Sequence, residues 1–232
     1  MNARILLAAC LCIAPSGGAD AAERRIDLSS FDSVRVEGAF VVHLTTAASP
    51  RGMMHGDPAA LRQTEAAIVG RTLVIRTLRD ATPRRTGNGP VELTITAPPL
   101  SGITVIGGAL VTAQALRGDM INVTITGPGE VQVDRADGEQ LVTTLLGPGK
   151  LGIAGGRVGK ARFAASGQGV TTASGLDAGE VTVMLDGPGD ASVRARYMAT
   201  ITHSGLGRIT VEGSPKCRIL RQGSGPIRCG TR

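Results

Sequence analysis

The sequence predicts an all-β fold, a right-handed parallel β-helix (β-solenoid) with coils of about 20 residues, on three observations. A glycine-rich turn recurs at constant intervals, apolar residues hold fixed alternate positions around it, and the composition favours short strands and tight turns. The turns that start at Gly107, Gly127, Gly147, Gly167 and Gly187 are separated by one constant step, and those at Gly205 and Gly223 follow at a step shorter by two. A sandwich of hairpins has no reason to space its turns equally, whereas the circumference of a coil enforces it. Parallel crossovers are overwhelmingly right-handed, which sets the expected hand.

Among 232 residues there are 33 Gly, three Phe, one Tyr and no Trp, so a core must be filled by Val, Ile, Leu, Ala and Thr. A 42% hydrophobic content supports one substantial core or two small ones.

Taken in order, residues 1–21 read as a signal peptide: Arg4 precedes an apolar run over 5–14, and Ala19-Asp20-Ala21 supplies small residues for cleavage after Ala21. The run falls short of the roughly 20 residues that a bilayer-spanning helix needs, so no integral membrane span is expected. Leu7-Ala8-Ala9-Cys10 also resembles a lipobox, a competing reading that would leave an unusually short apolar segment. Residues 22–232 are expected to form a single domain, with irregular strands over 22–100 and regular coils over 101–232. Within the first part, 34–46, 73–77 and 91–96 alternate or run β-branched and read as strands. Asp57 before Pro58, Ala59, Ala60 and Leu61 marks a short helix, with an N-cap residue and a proline at the first helical position. Residues 78–89 are polar and turn-rich, hence a loop. Gly87 lies one such step before Gly107 but lacks apolar neighbours upstream, so its register reads as coincidence or a decayed coil.

In the regular part the inward positions can be counted from the first glycine of each turn. Four before it stand Ile103, Val123, Thr143, Phe163, Val183, Ile201 and Ile219; two before it, Val105, Ile125, Leu145, Ala165, Leu185, His203 and Arg221. Four and six after it come pairs such as Val111 and Ala113, Val131 and Val133, and Leu151 and Ile153. Each coil therefore offers two short strands with one apolar face, buried only when coils stack. A column of Thr, including Thr104, Thr124, Thr144 and Thr202, falls between the inward positions and is expected to face solvent, where ordinary β-propensity explains it.

The motifs Ser30-Phe31-Asp32-Ser33-Val34-Arg35-Val36-Glu37-Gly38, Gly56-Asp57-Pro58, Gly70-Arg71-Thr72-Leu73-Val74-Ile75, Pro98-Pro99-Leu100, the turn-bearing coils and Glu212-Gly213-Ser214-Pro215 occur in that order. Together they resemble the putative auto-transporter adhesin head GIN domain family over nearly the whole chain after the leader. The resemblance implies an exported bacterial β-helix domain of the cell envelope, with no established site residues to carry over. Gly-Pro-Gly stands in three coils where relatives commonly show Gly-Ser-Gly.

Chemistry is sparse. Asp134, Asp137 and Glu139 in one coil, and Asp186 and Asp190 around another turn, are the acidic candidates for a lyase or hydrolase, but Asp134 and Asp190 fall at different coil positions. His43, His55 and His203 are too dispersed for metal-ligand spacing, and His203 is expected near a partly wet end of the stack, satisfied by backbone groups. No catalytic, cofactor-binding or metal-binding residue is assigned, and no cofactor is expected. With so few aromatics, nucleic acid is excluded as a partner. The formal charge of +6 fits anionic envelope polymers, but its Lys and Arg read as scattered and favour simple solubility. Cys217 and Cys229, six before and six after Gly223, are expected to project inward from the last coil and form a disulfide, as an exported compartment allows. The leading reading is a non-enzymatic cell-envelope protein, in the periplasm, at the outer-membrane surface or secreted, that presents a rigid surface to an envelope protein or polysaccharide. A polysaccharide lyase or hydrolase on the same scaffold is the alternative, and a periplasmic partner-binding module using an uncapped coil edge is the third.

Overall fold

The computed structural model describes residues 22–78 and 89–231, so the expected signal peptide, Gly87 and most of the expected loop lie outside the described residues. Its architecture is a parallel β-solenoid of about 20-residue coils. The strand Gly102–Ile106 stacks on Leu116–Thr126, which stacks on Ala136–Leu146, then Gly156–Ser166, each pair parallel. Register is what the spacing demands. Val123 faces Ile103 on one side and Thr143 on the other, and Phe163 lies between Thr143 and Val183. All of these are buried, Thr143 included, with Thr143 Oγ1 donating weakly to the Arg162 carbonyl at 3.4 Å. Each large apolar side chain so enclosed contributes about 1.5–3 kcal/mol relative to exposure. All three Phe are in the core, while Tyr197 is exposed.

The turn glycines make the stacking possible. Gly107, Gly127, Gly147, Gly167 and Gly187 all have φ between +101° and +113°, a region that side chains other than hydrogen rarely enter. They also touch: a Cβ on Gly167 would sit 3.2 Å from both Cα and O of Gly147 in the layer below.

Two features exceed the sequence-based expectation. Each coil has a third inward segment: Leu116 pairs with Ala136, and Gly118 with Gly138, Leu116 and Ala136 being buried. In-register stacking also reaches further back than residue 101. Ser33–Glu37 and Phe40–Thr46 form a layer beneath Gly102–Ile106 and Leu110–Ala113, with Val36 opposite Val105 and Val42 opposite Val111. On its other side lie Thr72–Thr77 and Val91–Ala97, so the first layer in sequence is second in space.

The change to shorter coils is local. Val193 lies opposite Ala173, a full-length coil earlier, but Ala195 lies opposite Ala178 and Met198 opposite Glu180, so the shortening falls within the third segment.

The two ends differ. At the N-terminal end Thr64–Val69 folds antiparallel on Thr72–Thr77, and Ala22–Ile26 and Arg51–Gly56 extend the layer antiparallel from Val91–Ala97. The expected helix, Pro58–Gln63, lies here, with Asp57 accepting from the backbone N–H of Ala59 at 2.8 Å and Ala60 at 3.3 Å. Arg24 ties it down by donating to the carbonyls of Leu61 and Thr64, each at 2.9 Å. At the other end the strands Lys216–Arg221 and Ile227–Thr231 are joined by the Cys217–Cys229 disulfide. Both cysteines continue inward columns, above Ala199 and Val211, yet Cys217 is exposed and Cys229 half-buried, since among the described residues no layer covers them.

Replacing Gly167 by Ala is expected to destabilise by about 1–3 kcal/mol, from positive-φ strain and the contact with Gly147. Pro148→Ala, at an exposed corner, should stay within about 0.5 kcal/mol. Urea denaturation of both variants checks the contrast.

Candidate functional site

A groove of about 800 Å³ runs along the third segment of the coils, where Asp137, Glu139, Gln140, Arg157, Lys160 and Arg196 line it. Its depth comes from glycine. A Cβ on Gly138 would collide with the Gly118 carbonyl oxygen, and one on Gly159 would lie 2.9 Å from the Glu139 carbonyl oxygen. The layers therefore meet backbone to backbone here, and longer side chains rise on either side.

Along the groove, charge alternates by layer. Arg117, Asp137, Arg157 and Asp177 hold the same position relative to the first glycine of their turns and are mutually in register. Asp137 accepts from Arg135 Nε at 2.6 Å and from the Arg157 backbone N–H at 3.1 Å, with Arg117 at 3.8 Å. The Arg157 guanidinium reaches up to Asp177 at 3.3 Å, and Arg196 meets the other Asp177 oxygen at 3.2 Å. Lys160 lies 3.9 Å from Glu180. The Arg135 hydrogen bond, supported by the Arg157 N–H and the charges of Arg135 and Arg117, holds the Asp137 carboxyl below its ordinary range against the opposing effect of desolvation. A carboxylate so fixed accepts hydrogen bonds; it does not carry a proton to a leaving group at neutral pH. The groove thus presents donors and acceptors in rows separated by the ~4.8 Å of neighbouring strands. Tyr197, its ring 5.1 Å from the Arg196 guanidinium carbon, stands exposed beside it.

Of the five acidic candidates, only Asp137 and Glu139 reach this groove. Asp186 accepts from Ser204 Oγ at 3.1 Å, and Asp190 accepts from the Arg208 backbone N–H at 2.8 Å, each bracing a turn. Asp134 is exposed outside the groove lining. Among the described residues no three His, Cys, Asp or Glu converge to hold a metal ion. The alternating row is carried by the sequence at the coil position of Asp137, whereas Asp134 and Asp190 fall at unrelated coil positions and give no sign of it.

His203 corrects an expectation. It is fully buried, and neither ring nitrogen has a hydrogen-bond partner, so backbone groups do not satisfy it. Gly225 seals the ring: a Cβ there would collide with Cε1. His43 and His55 are surface groups, His43 bonded to Thr112 Oγ1 at 2.8 Å and near Glu92, His55 near Glu23.

A family model described as "putative auto-transporter adhesin, head GIN domain" matches residues 30–215. Solved structures share the architecture. A putative adhesin from Bacteroides fragilis superposes with TM-score 0.83 at 21% identity, covering 91% of this chain and 97% of that one. A putative lipid binding protein from Parabacteroides distasonis gives TM-score 0.66 at 18% identity over 91% and 97%, and a putative adhesin from the same species gives 0.68 at 14% over 91% and 98%. These likenesses establish the fold. No curated protein matches the chain.

His203→Leu is expected to stabilise by about 1–2 kcal/mol in chemical denaturation, because two buried polar atoms without partners are removed at similar volume. Asp137 has its folded pKa below the ordinary 3.8, so its stabilising contribution is complete above that value and is lost as pH falls through the lower folded one. The Asp137→Asn variant should therefore lose less stability than the parent between neutral pH and pH values below about 4, measured by urea midpoints at each pH.

Proposed function

Because the chain belongs to the putative auto-transporter adhesin head GIN domain family, we propose that it is a non-enzymatic, exported cell-envelope protein that binds an envelope polysaccharide or protein along the charged groove, in adhesion or assembly. The observation that carries this reading is the alternation of Arg117, Asp137, Arg157 and Asp177 on successive layers beside a glycine-floored trough. A rigid row of donors and acceptors at strand spacing suits a repetitive, hydroxyl-rich chain, which offers both kinds of hydrogen-bonding group at similar intervals. The neighbouring Tyr197 ring adds an apolar platform. Catalysis on the same scaffold would need an acid and a base near one bond, whereas Asp137 is held ionised and Asp186 and Asp190 brace turns. The signal-peptide pattern over residues 1–21 and the Cys217–Cys229 disulfide support export to an oxidising compartment.

The test presents residues 22–232 to neutral and acidic envelope glycans, with and without calcium, and follows both binding and turnover. Saturable binding without turnover, weakened at least ten-fold in an Arg157→Ala, Lys160→Ala, Arg196→Ala triple variant, is the expected result. Glycan turnover lost on substitution of Asp134 or Asp186 overturns the proposal in favour of a lyase or hydrolase.

A further inference from the structure

The positive charge of this protein is not spread over it. Residues 1–212 contain 20 Lys and Arg against all 19 Asp and Glu, whereas residues 213–232 contain five cations and no acid. Almost the entire net charge of +6 therefore belongs to the last coil, contrary to the scattered distribution read from the sequence. Lys216, Arg218, Arg221 and Arg228 are exposed, and among the described residues no salt bridge involves them, in contrast to the neutralised rows of the groove.

Among the described residues this coil is also an unpaired edge of the stack. Lys216–Arg221 pairs with Asp190–His203 on one face only, and Ile227–Thr231 with Ile209–Gly213 on one face only. The outward side of each strand therefore keeps backbone N–H and C=O groups unpaired among the described residues. Its inward column is unfinished: Ile201 is fully buried one layer below, while Ile219 is 45% exposed, and Arg221 stands exposed above the buried His203. Leu220 is also exposed, at 51%. The disulfide holds the two strands in place without covering them.

From these placements we propose that the C-terminal coil is a docking edge for an extended, acidic segment of a partner protein, which adds as one further parallel strand on Lys216–Arg221. Carboxylates of that strand lie over Lys216, Arg218 and Arg221, and an apolar side chain lies over Ile219. Cations on an edge strand are an ordinary defence against self-association, and they act so here, since a second copy of the edge would set like charges together. For an acidic strand the same charges change sign of effect, steering the encounter and fixing register while the backbone ladder supplies affinity. The opposite end of the stack gives no acidic complement for head-to-tail assembly: its outermost strands carry one acid each, Glu65 in Thr64–Val69, 2.7 Å from Arg76, and Glu23 in Ala22–Ile26, beside Arg24 and Arg25 and 3.5 Å from His55. A lipid surface would meet the charges but could not match the row of backbone groups. This edge is independent of the groove.

Fluorescence anisotropy with residues 22–232 and a short, labelled synthetic peptide tests the proposal. The peptide has Asp-Ala-Glu-Val-Thr-Glu at its centre, matching the order Lys216 to Arg221. Expected are saturable binding, at least ten-fold weaker for a scrambled peptide of equal composition and for one with proline replacing the threonine over Leu220, because outward residues of each layer donate their N–H to the layer beneath, as Gln222 does to the His203 carbonyl, and proline removes that ladder donor. An Arg218→Glu, Arg221→Glu variant should lose the acidic peptide at least ten-fold and gain a peptide with lysine at the acidic positions, a rescue that a misfolded variant would not give. Equal binding of the scrambled or proline peptide overturns strand addition in favour of diffuse charge attraction. Failure of both peptides with binding to phosphatidylglycerol vesicles overturns it in favour of a membrane surface. The groove triple variant should bind the acidic peptide unchanged, so failure at either surface is distinguishable from failure at the other.

Discussion

The glycine corner is the constraint on which the molecule depends. Gly38, Gly107, Gly127, Gly147, Gly167 and Gly187 stack with positive φ, close enough that each hydrogen-only residue touches its neighbour's backbone. Once that corner is fixed, every coil must return to the same place, and the residues two and four positions before it fall into columns. Columns of Val, Ile, Leu and Thr then form a narrow core that needs few aromatics, which reconciles three Phe and no Trp with a well-buried interior. Backbone hydrogen bonds continue through the corners, as from Gly127 N–H to the Leu146 carbonyl at 2.8 Å, so the turns are part of the ladder rather than interruptions of it.

The same device explains what could be read from the sequence. Val123, Thr143, Phe163 and Val183 share an environment because equal spacing is a geometric statement that survives changes of residue type. The layer formed by Ser33–Glu37 and Phe40–Thr46 was not legible as a coil, since a single Gly38 turn has no matching turn one coil length away. Its partner at Gly107 lies far along the chain, beyond the antiparallel strands and the helix. Alternation predicts strands but says nothing about order in space. The third segment escaped for a related reason: Gly118 and Gly138 leave no apolar signature at the place where the layers come closest.

Of the five acidic candidates, Asp134, Asp186 and Asp190 lie outside the groove or brace turns, while Asp137 belongs to a row of opposite charges at equal coil positions that no single carboxylate reveals. A charge repeated with alternating sign neutralises itself along the stack, whereas one repeated with the same sign would repel at strand spacing. The last described coil abandons that balance, and among the described residues no layer stacks on it. His203 marks the same transition inside: beneath Arg221, the column gives up its apolar character one layer before the last described coil.

The shortening between Ala173 and Met198 has a separate consequence. One side of a coil contracts while the Gly187 and Gly205 corners remain in contact and the columns at Val183 and Ile201 stay aligned. Length is thus negotiable along that side and fixed on the other two. A residue gained or lost there reshapes the wall of the groove, where Arg196 stands, while Ala178 and Ala195 stay buried and the two remaining sides keep their columns, so the contour of that flank can change without a change of corner.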